Sequence, residues 1–343
     1  MTDAPKVSVV VTCYNLGRYL DEAVDSILAQ TFQDFEILII DDGSTEPETV
    51  ALLSSFQRPK TRVVHIENRG LSGARNEGIR RTSGPYVCAV DADDVLERTY
   101  FEKAVDVLDR DASVALVSPW IRTFGDEQWE WKPERADFPS LLDCNNVAQA
   151  SVVRRDAIVT AGLFDETMRE GCEDWDMWIR MVGRGFRAVV LREVLFFYRR
   201  RRGSMSRVMM EGPTFLRLYG ELIERNREYF ELHAVELLMR REQDRIMNIC
   251  ECHDLELDYE CGLQPEIERL RDRLRVDGRK LDRIRARTRR EEAVAAQATM
   301  LAENQAQAIL GLQEEVRALR TSLSWRLTRP LRAVYELFFD RSP

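Results

Sequence analysis

Three carboxylates fall within four positions in VDADD, at Asp91, Asp93 and Asp94, where the apolar run PYVCAV ends. Like charges this close repel and raise one another's proton affinity, so grouping them stabilises nothing unless positive charge sits among them. Hard carboxylate oxygens suit Mg2+ or Mn2+, ions commonly held by one or two carboxylates together with substrate phosphates. The plain alternative is a helix cap or a solvated turn, which aspartate makes without any ligand. A second acidic group, EGCEDWDMWIR, sets Glu173, Asp174 and Asp176 among Trp175, Trp178, Ile179 and Met181. An acid held against such an apolar surface has a tunable proton affinity and can serve as a general base. Acids in the first turn of a helix, favoured by its dipole, account equally well for Glu173 and Asp176.

Three further stretches have residue types suited to a nucleotide. VTCYN closes an apolar run, so the Thr12 hydroxyl, the Tyr14 ring and the Asn15 amide stand where a planar base could stack and be hydrogen-bonded. In IDDGST, Asp42 can accept from a uracil-type imide N–H or a ribose hydroxyl while Gly43 permits the turn, although an Asx turn needs no ligand. In GLSGARNEGI, Gly70 and Gly73 let backbone approach closely, and Arg75 could meet a phosphate or fix the acidic cluster. The stretch lacks the GxGxxG spacing after a strand, which disfavours a dinucleotide fold.

The elements that must position these residues follow from hydrophobic pattern. VSVVVTC, FEILII, RVVHI, PYVCAV and VALVS are continuous apolar runs, as strands buried on both faces should be. Amphipathic stretches such as LGRYLDEAVDSILAQ and TYFEKAVDVLDRD alternate with them. That alternation predicts an α/β fold, a mostly parallel sheet flanked by helices. Ligands of such sheets gather beyond the carboxyl ends of the strands, where Asp41, Asp42 and the DADD group fall.

In this order, VTCYN, IDDGST, GLSGARNEGI, VDADD and EGCEDWDMWIR resemble the family 2 glycosyltransferases, whose nucleotide-sugar-binding domain is of the type called GT-A. The resemblance covers about residues 5 to 207 and leaves the C-terminal part outside. It implies an inverting transfer of sugar from a nucleoside diphosphate sugar, UDP-sugars foremost, to a hydroxyl of a glycan or lipid-linked acceptor. It implies a DXD role in which Asp93, with Asp94 as its nearest alternative, ligates Mn2+ or Mg2+ and Asp91 orients the ribose or a bound water. It implies that Asp174 is the general base, taking the proton from the acceptor hydroxyl. Thr12, Tyr14, Asn15, Asp42 and Arg75 fall to the donor. One departure stands out: the family often carries a histidine between its last strand and an SxS stretch, and YRRRRGSMSR puts Arg201 there. Arginine cannot ligate a cation. Arg199 to Arg202 can instead clamp the diphosphate directly, which lowers the dependence on metal.

The chain has 343 residues with a net charge of -9, which argues against non-specific nucleic-acid binding, since phosphate contacts require a basic face. Its 44% hydrophobic residues support a packed core, and its 32% charged residues point to a solvated helical region. The seven cysteines are odd in number and scattered, which fits a reducing compartment. Cys250, Cys252, His253 and Cys261 lack zinc-knuckle spacing and read as helix residues.

Four regions follow: a catalytic domain over 1–210, a helical linker region over 211–262, a coiled coil over 263–323 and a basic amphipathic tail over 324–343. The all-α extension carries an apolar seven-residue rhythm from Ile267 to Leu323, predicting a homo-oligomer. The tail sets Trp325, Leu331, Tyr335 and Phe338 among Arg326, Arg329 and Arg332, a pattern that suits peripheral contact with an anionic bilayer or packing against a partner. With no signal peptide and no run of about eighteen apolar residues, the expected location is the cytoplasm, either free or peripheral to the inner face of the cell membrane. An inactive glycosyltransferase-like scaffold acting through its coiled coil is the alternative, and the intact DADD and ED stretches count against it.

Overall fold

The computed structural model describes residues 4–209 and 213–252. The first half of the chain alternates strand and helix: β1 (Val7–Cys13), α1 (Gly17–Leu28), β2 (Phe35–Asp41), α2 (Pro47–Ser55), β3 (Thr61–His65), α3 (Gly70–Arg80) and β4 (Tyr86–Asp91). Then come β5 (Val95–Leu96), α4 (Tyr100–Arg110), β6 (Val114–Gly125), β7 (Glu130–Trp131), α5 (Ser140–Asp143), β8 (Val152–Arg154), α6 (Arg155–Thr160), α7 (Glu173–Gly183) and β9 (Arg187–Arg200). The chain turns helical with α8 (Met205–Met209), α9 (Pro213–Arg225), α10 (Arg227–Leu232) and α11 (Ala234–Cys252).

All the strands join one nine-stranded sheet of order β3-β2-β1-β4-β8-β6-β9-β5, with β7 on β6. The first four strands are parallel, as their apolar runs predict. Beyond them the sheet is mixed. β8 runs antiparallel to both β4 and β6, and β5 and β7 are antiparallel to their neighbours, while β6 and β9 are parallel. The mostly parallel expectation therefore holds for one half of the sheet. β8 is only three residues long and is reached from β6 through β7, which folds back on β6, and the short helix α5.

Register decides what shares an edge. Cys13 lies opposite Asp41 and Thr12 opposite Asp91, so the ends of β1, β2 and β4 open on one side of the sheet. Every residue of β1 is buried. Val7, Val9 and Val11 face the core that α1 and α4 cover, and Val10 faces the core shared with α3, α7 and α9. On that second face α3 comes close enough that a Cβ on Gly78 would lie 2.1 Å from Val10 Cγ1. Glycine there is a packing requirement.

Helices α9 and α10 are part of this body rather than a linker. Leu218, Leu222 and Phe230 are buried in the second core, and the buried Asn226 donates to Asp176 Oδ1 at 2.8 Å. The compact unit runs from Met1 to Glu251. The helix α11 includes Cys250 and Cys252, while His253, Cys261, the expected coiled coil and the amphipathic tail lie outside the described residues. No helix among the described residues is long and apolar enough to cross a membrane.

Candidate functional site

The site is built around one buried guanidinium. α3 opens at Gly70 with φ +76°, and its second turn carries Arg75 into the interior, where it is 1% exposed. Arg75 Nη1 donates to Glu173 Oε1 at 2.7 Å, its Nη2 donates to Asp91 Oδ1 at 3.2 Å, and its Cζ lies 5.4 Å from the Phe164 ring centre. Burial opposes the charge, but Asp91 and Glu173 on either side hold Arg75 more firmly protonated than usual. Of the two roles its sequence context offered, Arg75 takes the second: it fixes the acidic cluster. It thereby joins the end of β4 to the start of α7, elements more than 80 residues apart in the chain.

Asp91 also accepts from Thr12 Oγ1 at 2.8 Å across the β1–β4 register. Gln149 Nε2, from the loop before β8, reaches Asp91 Oδ1 at 3.5 Å and the Ala89 carbonyl at 3.0 Å. Thr12 is thus buried and committed to the cluster rather than open to a base. Tyr14 is 47% exposed and free to stack. Asn15, at φ +56°, spends its amide on the protein: Oδ1 accepts from the backbone N–H groups of Thr45 and Glu46 at 2.8 and 2.9 Å, and Nδ2 donates to Thr45 Oγ1 at 3.1 Å. It fastens the loop after β2 to the end of β1, with both lone pairs of its oxygen and one of its two N–H donors committed there. Asp42 is buried with Oδ1 accepting from the Arg69 N–H at 2.7 Å, and burial pushes its carboxyl up from the usual range. Gly43 makes the turn with φ +71°.

The general-base candidate sits at the opening of α7. Gly171 and Cys172 have φ of +125° and +63°, a left-handed turn that swings Glu173 and Asp174 toward the cluster. Asp174 Oδ1 accepts from the Trp175 N–H at 2.7 Å, and Oδ2 accepts from Asn145 Nδ2 at 3.3 Å. Burial first, and then the neighbouring Glu173, push the Asp174 carboxyl up from 3.8 to about 7, with Arg75 pulling the other way. A half-buried carboxyl titrating near neutrality has the proton affinity that general-base work requires. Asp176, the third acid, is buried and tied to Arg180 at 2.7 Å and to Asn226, so its role is structural. Asn145 and Gln149 were not anticipated from sequence, because they come from a loop without regular pattern.

Asp93 and Asp94, read as metal ligands, do not form a metal site in this arrangement. Asp93 Oδ2 accepts from Arg201 Nε at 2.7 Å, so a guanidinium already occupies one of its two oxygens. Asp94 is fully buried. Its Oδ1 accepts from the Arg199 N–H at 2.9 Å, while its Oδ2 has no hydrogen-bond partner among the described residues. Burial, then Asp93 and Asp91, push the Asp94 carboxyl well up. No group of three or more His, Cys, Asp or Glu side chains among the described residues could hold a metal ion. One or two carboxylates with substrate phosphates can suffice for Mn2+ or Mg2+, but here the Asp93 carboxylate is already paired with Arg201. The physical reason is that β9 lays Arg199 and Arg201 against the acids, a long-range pairing with no local trace in VDADD.

Comparison with known proteins agrees with this architecture. Residues 8–168 match the family model described as glycosyl transferase family 2. An uncharacterised glycosyltransferase of Methanocaldococcus jannaschii is 27% identical over 209 residues, 57% of this chain and 71% of that protein. The glycosyltransferase GlyA of Streptococcus pneumoniae is 29% identical over 224 residues, 60% of this chain and 32% of that protein. The chain thus spans about a third of the length of GlyA. Among solved structures, S. aureus TarS 1-349 in complex with UDP-GlcNAc is similar in fold, with a TM-score of 0.54 and 20% identity over 64% of this chain and 66% of that one. Residues 8–168 thus carry the likeness to glycosyl transferase family 2, and the fold is of the GT-A type seen in TarS.

Proposed function

We propose that the protein moves a sugar from a nucleoside diphosphate sugar, UDP-sugars foremost, to a hydroxyl of a glycan or lipid-linked acceptor, with inversion at the anomeric carbon. The observation that carries the reading is the Arg75 bridge, which holds the carboxyl end of β4 and the opening of α7 side by side. The similarly folded TarS has been crystallised with UDP-GlcNAc and with UDP, which supports a uridine donor.

In the proposed step the acceptor oxygen attacks the anomeric carbon as its proton passes to Asp174. The bond from that carbon to the β-phosphate oxygen breaks, and the electron pair leaves with the nucleoside diphosphate. Asp42 and the Tyr14 ring hold the nucleoside, and Asp91, oriented by Thr12 and Arg75, faces the ribose. Asn15 and Arg75 act through the frame. The proposal extends to assembly of copies through residues 263–323 and to contact of the 324–343 tail with an anionic bilayer on the cytoplasmic side.

The test is release of nucleoside diphosphate from a panel of nucleotide sugars by the purified full chain in Mn2+-containing buffer. Asp174→Asn should slow turnover by about 10² to 10⁴ while leaving donor binding intact, the range that a positioned general base supplies. Absence of both turnover and nucleotide binding with every donor would overturn the reading in favour of a scaffold.

A further inference from the structure

Four successive arginines end β9, and the fold treats each differently. Arg199 is locked: its guanidinium stacks between Tyr19 and Phe124 at 4.6 and 4.2 Å, donates to the Asp93 carbonyl at 2.8 Å and pairs with Glu22. Arg200 is held by Glu127 at 3.1 Å and by Ser206 Oγ at 2.9 Å. Arg202 is exposed at the turn, with its N–H on Asp126 Oδ2 at 2.8 Å. Arg201 alone points into the acidic cluster, and its side chain is 28% exposed. Its Nε donates to Asp93, one of five N–H donors in the guanidinium fork.

That placement creates a choice of partner. Asp93 follows the carboxyl end of β4 by two residues, on the edge where ligands of parallel strands gather. A guanidinium bound through one nitrogen at such an edge can swing its fork to phosphate oxygens, which it meets bidentately. A divalent ion entering at Asp93 would have to displace Arg201 first and would leave two positive charges crowded in a partly buried cleft.

We propose that Arg201 is the resident cation of the site: paired with Asp93 in the free enzyme, it exchanges that partner for the donor's diphosphate and bears the charge that gathers there as the sugar departs. Arg201 gives up no proton in this role; it only redirects its hydrogen bonds. Donor binding then has no need of a divalent ion. The proposal rests on the nucleoside diphosphate reading above.

The test is calorimetric titration of the full chain with UDP, and with GDP and dTDP in parallel, once in EDTA and once in Mn2+. For the diphosphate that binds best, the affinity in EDTA should lie within about threefold of that in Mn2+. Arg201→Ala should weaken binding in EDTA at least tenfold, and Arg201→Lys should recover part of the loss. Arg201→His should create a metal response, with binding in Mn2+ at least tenfold tighter than in EDTA. Wild-type protein that binds a diphosphate at least tenfold more tightly in Mn2+ than in EDTA would overturn the proposal and leave the donor reading standing. So would an alanine variant that binds like wild type. No binding of any diphosphate under either condition would take down the donor reading itself. Thermal melts check that the variants fold; should Arg201→Ala fail to fold, the wild-type comparison and the lysine variant still decide.

Discussion

A guanidinium 1% exposed between Asp91 and Glu173 has no water to fall back on, so each member of the trio depends on the others. Its effect reaches Asp174, where Arg75 tempers a rise caused by burial and by Glu173. The sign of the pH effects follows. With its carboxyl raised from 3.8 to about 7 in the fold, Asp174 binds a proton in the native state that the unfolded chain has already released between those values. Its contribution to stability is therefore fully present below about pH 4 and is lost as the pH rises through 7. Transfer, which needs the deprotonated carboxyl, should rise with pH through one ionisation near 7. Asp174→Asn should then melt higher than wild type at pH 8 and by a much smaller margin at pH 4, although it is the less active protein. A variant equally or less stable at pH 8 would show that the residue does not carry a raised proton affinity.

At the scale of elements, the site depends on how near α3 can come to β1. Gly78 in the middle of the helix costs roughly 1 kcal/mol against alanine by intrinsic propensity. The added methyl would nevertheless meet Val10 Cγ1 at 2.1 Å and Cγ2 at 2.9 Å, and a β-branched side chain on a fully buried strand has little freedom to give way. Overpacking of this kind costs about 1 to 3 kcal/mol, so the clash outweighs the propensity gain. Gly78→Ala should lower the denaturant midpoint, and because it shifts the helix that carries Arg75, it should weaken nucleotide binding as well. An unchanged or raised midpoint would mean that α3 and β1 are less closely packed than described.

For the whole molecule, the two cores lie within the unit from Met1 to Glu251, and α9 and α10 complete the second of them. A chain ending after Cys252 should unfold in one cooperative transition and bind UDP as the full chain does. Light scattering should find it monomeric and the full chain larger, since the heptad pattern lies beyond that point. A monomeric full chain would remove the association reading, and a shortened chain that fails to fold would extend the folding unit past residue 252.

Much of this was legible in the chain because it is local. Continuous apolar runs marked β1 to β4 and β6, although β3 at the sheet edge is only partly buried, and Asp41 and Asp91 stand at the ends of β2 and β4 as their places in the runs predict. The resemblance to family 2 glycosyltransferases rested on the same short stretches. The tertiary structure alone decided which acids meet which arginines. Arg75 meets Glu173 across 98 positions and Arg201 meets Asp93 across 108. Such pairings depend on strand order and on the mixed half of the sheet, where β8 and β9 set the register, and no spacing along the chain encodes them. For that reason DADD reads as a metal site in isolation, while in the fold Asp91 and Asp93 pair with arginines, Asp94 accepts from a backbone N–H, and the Asn15 amide, suited by type to a base, holds two loops together.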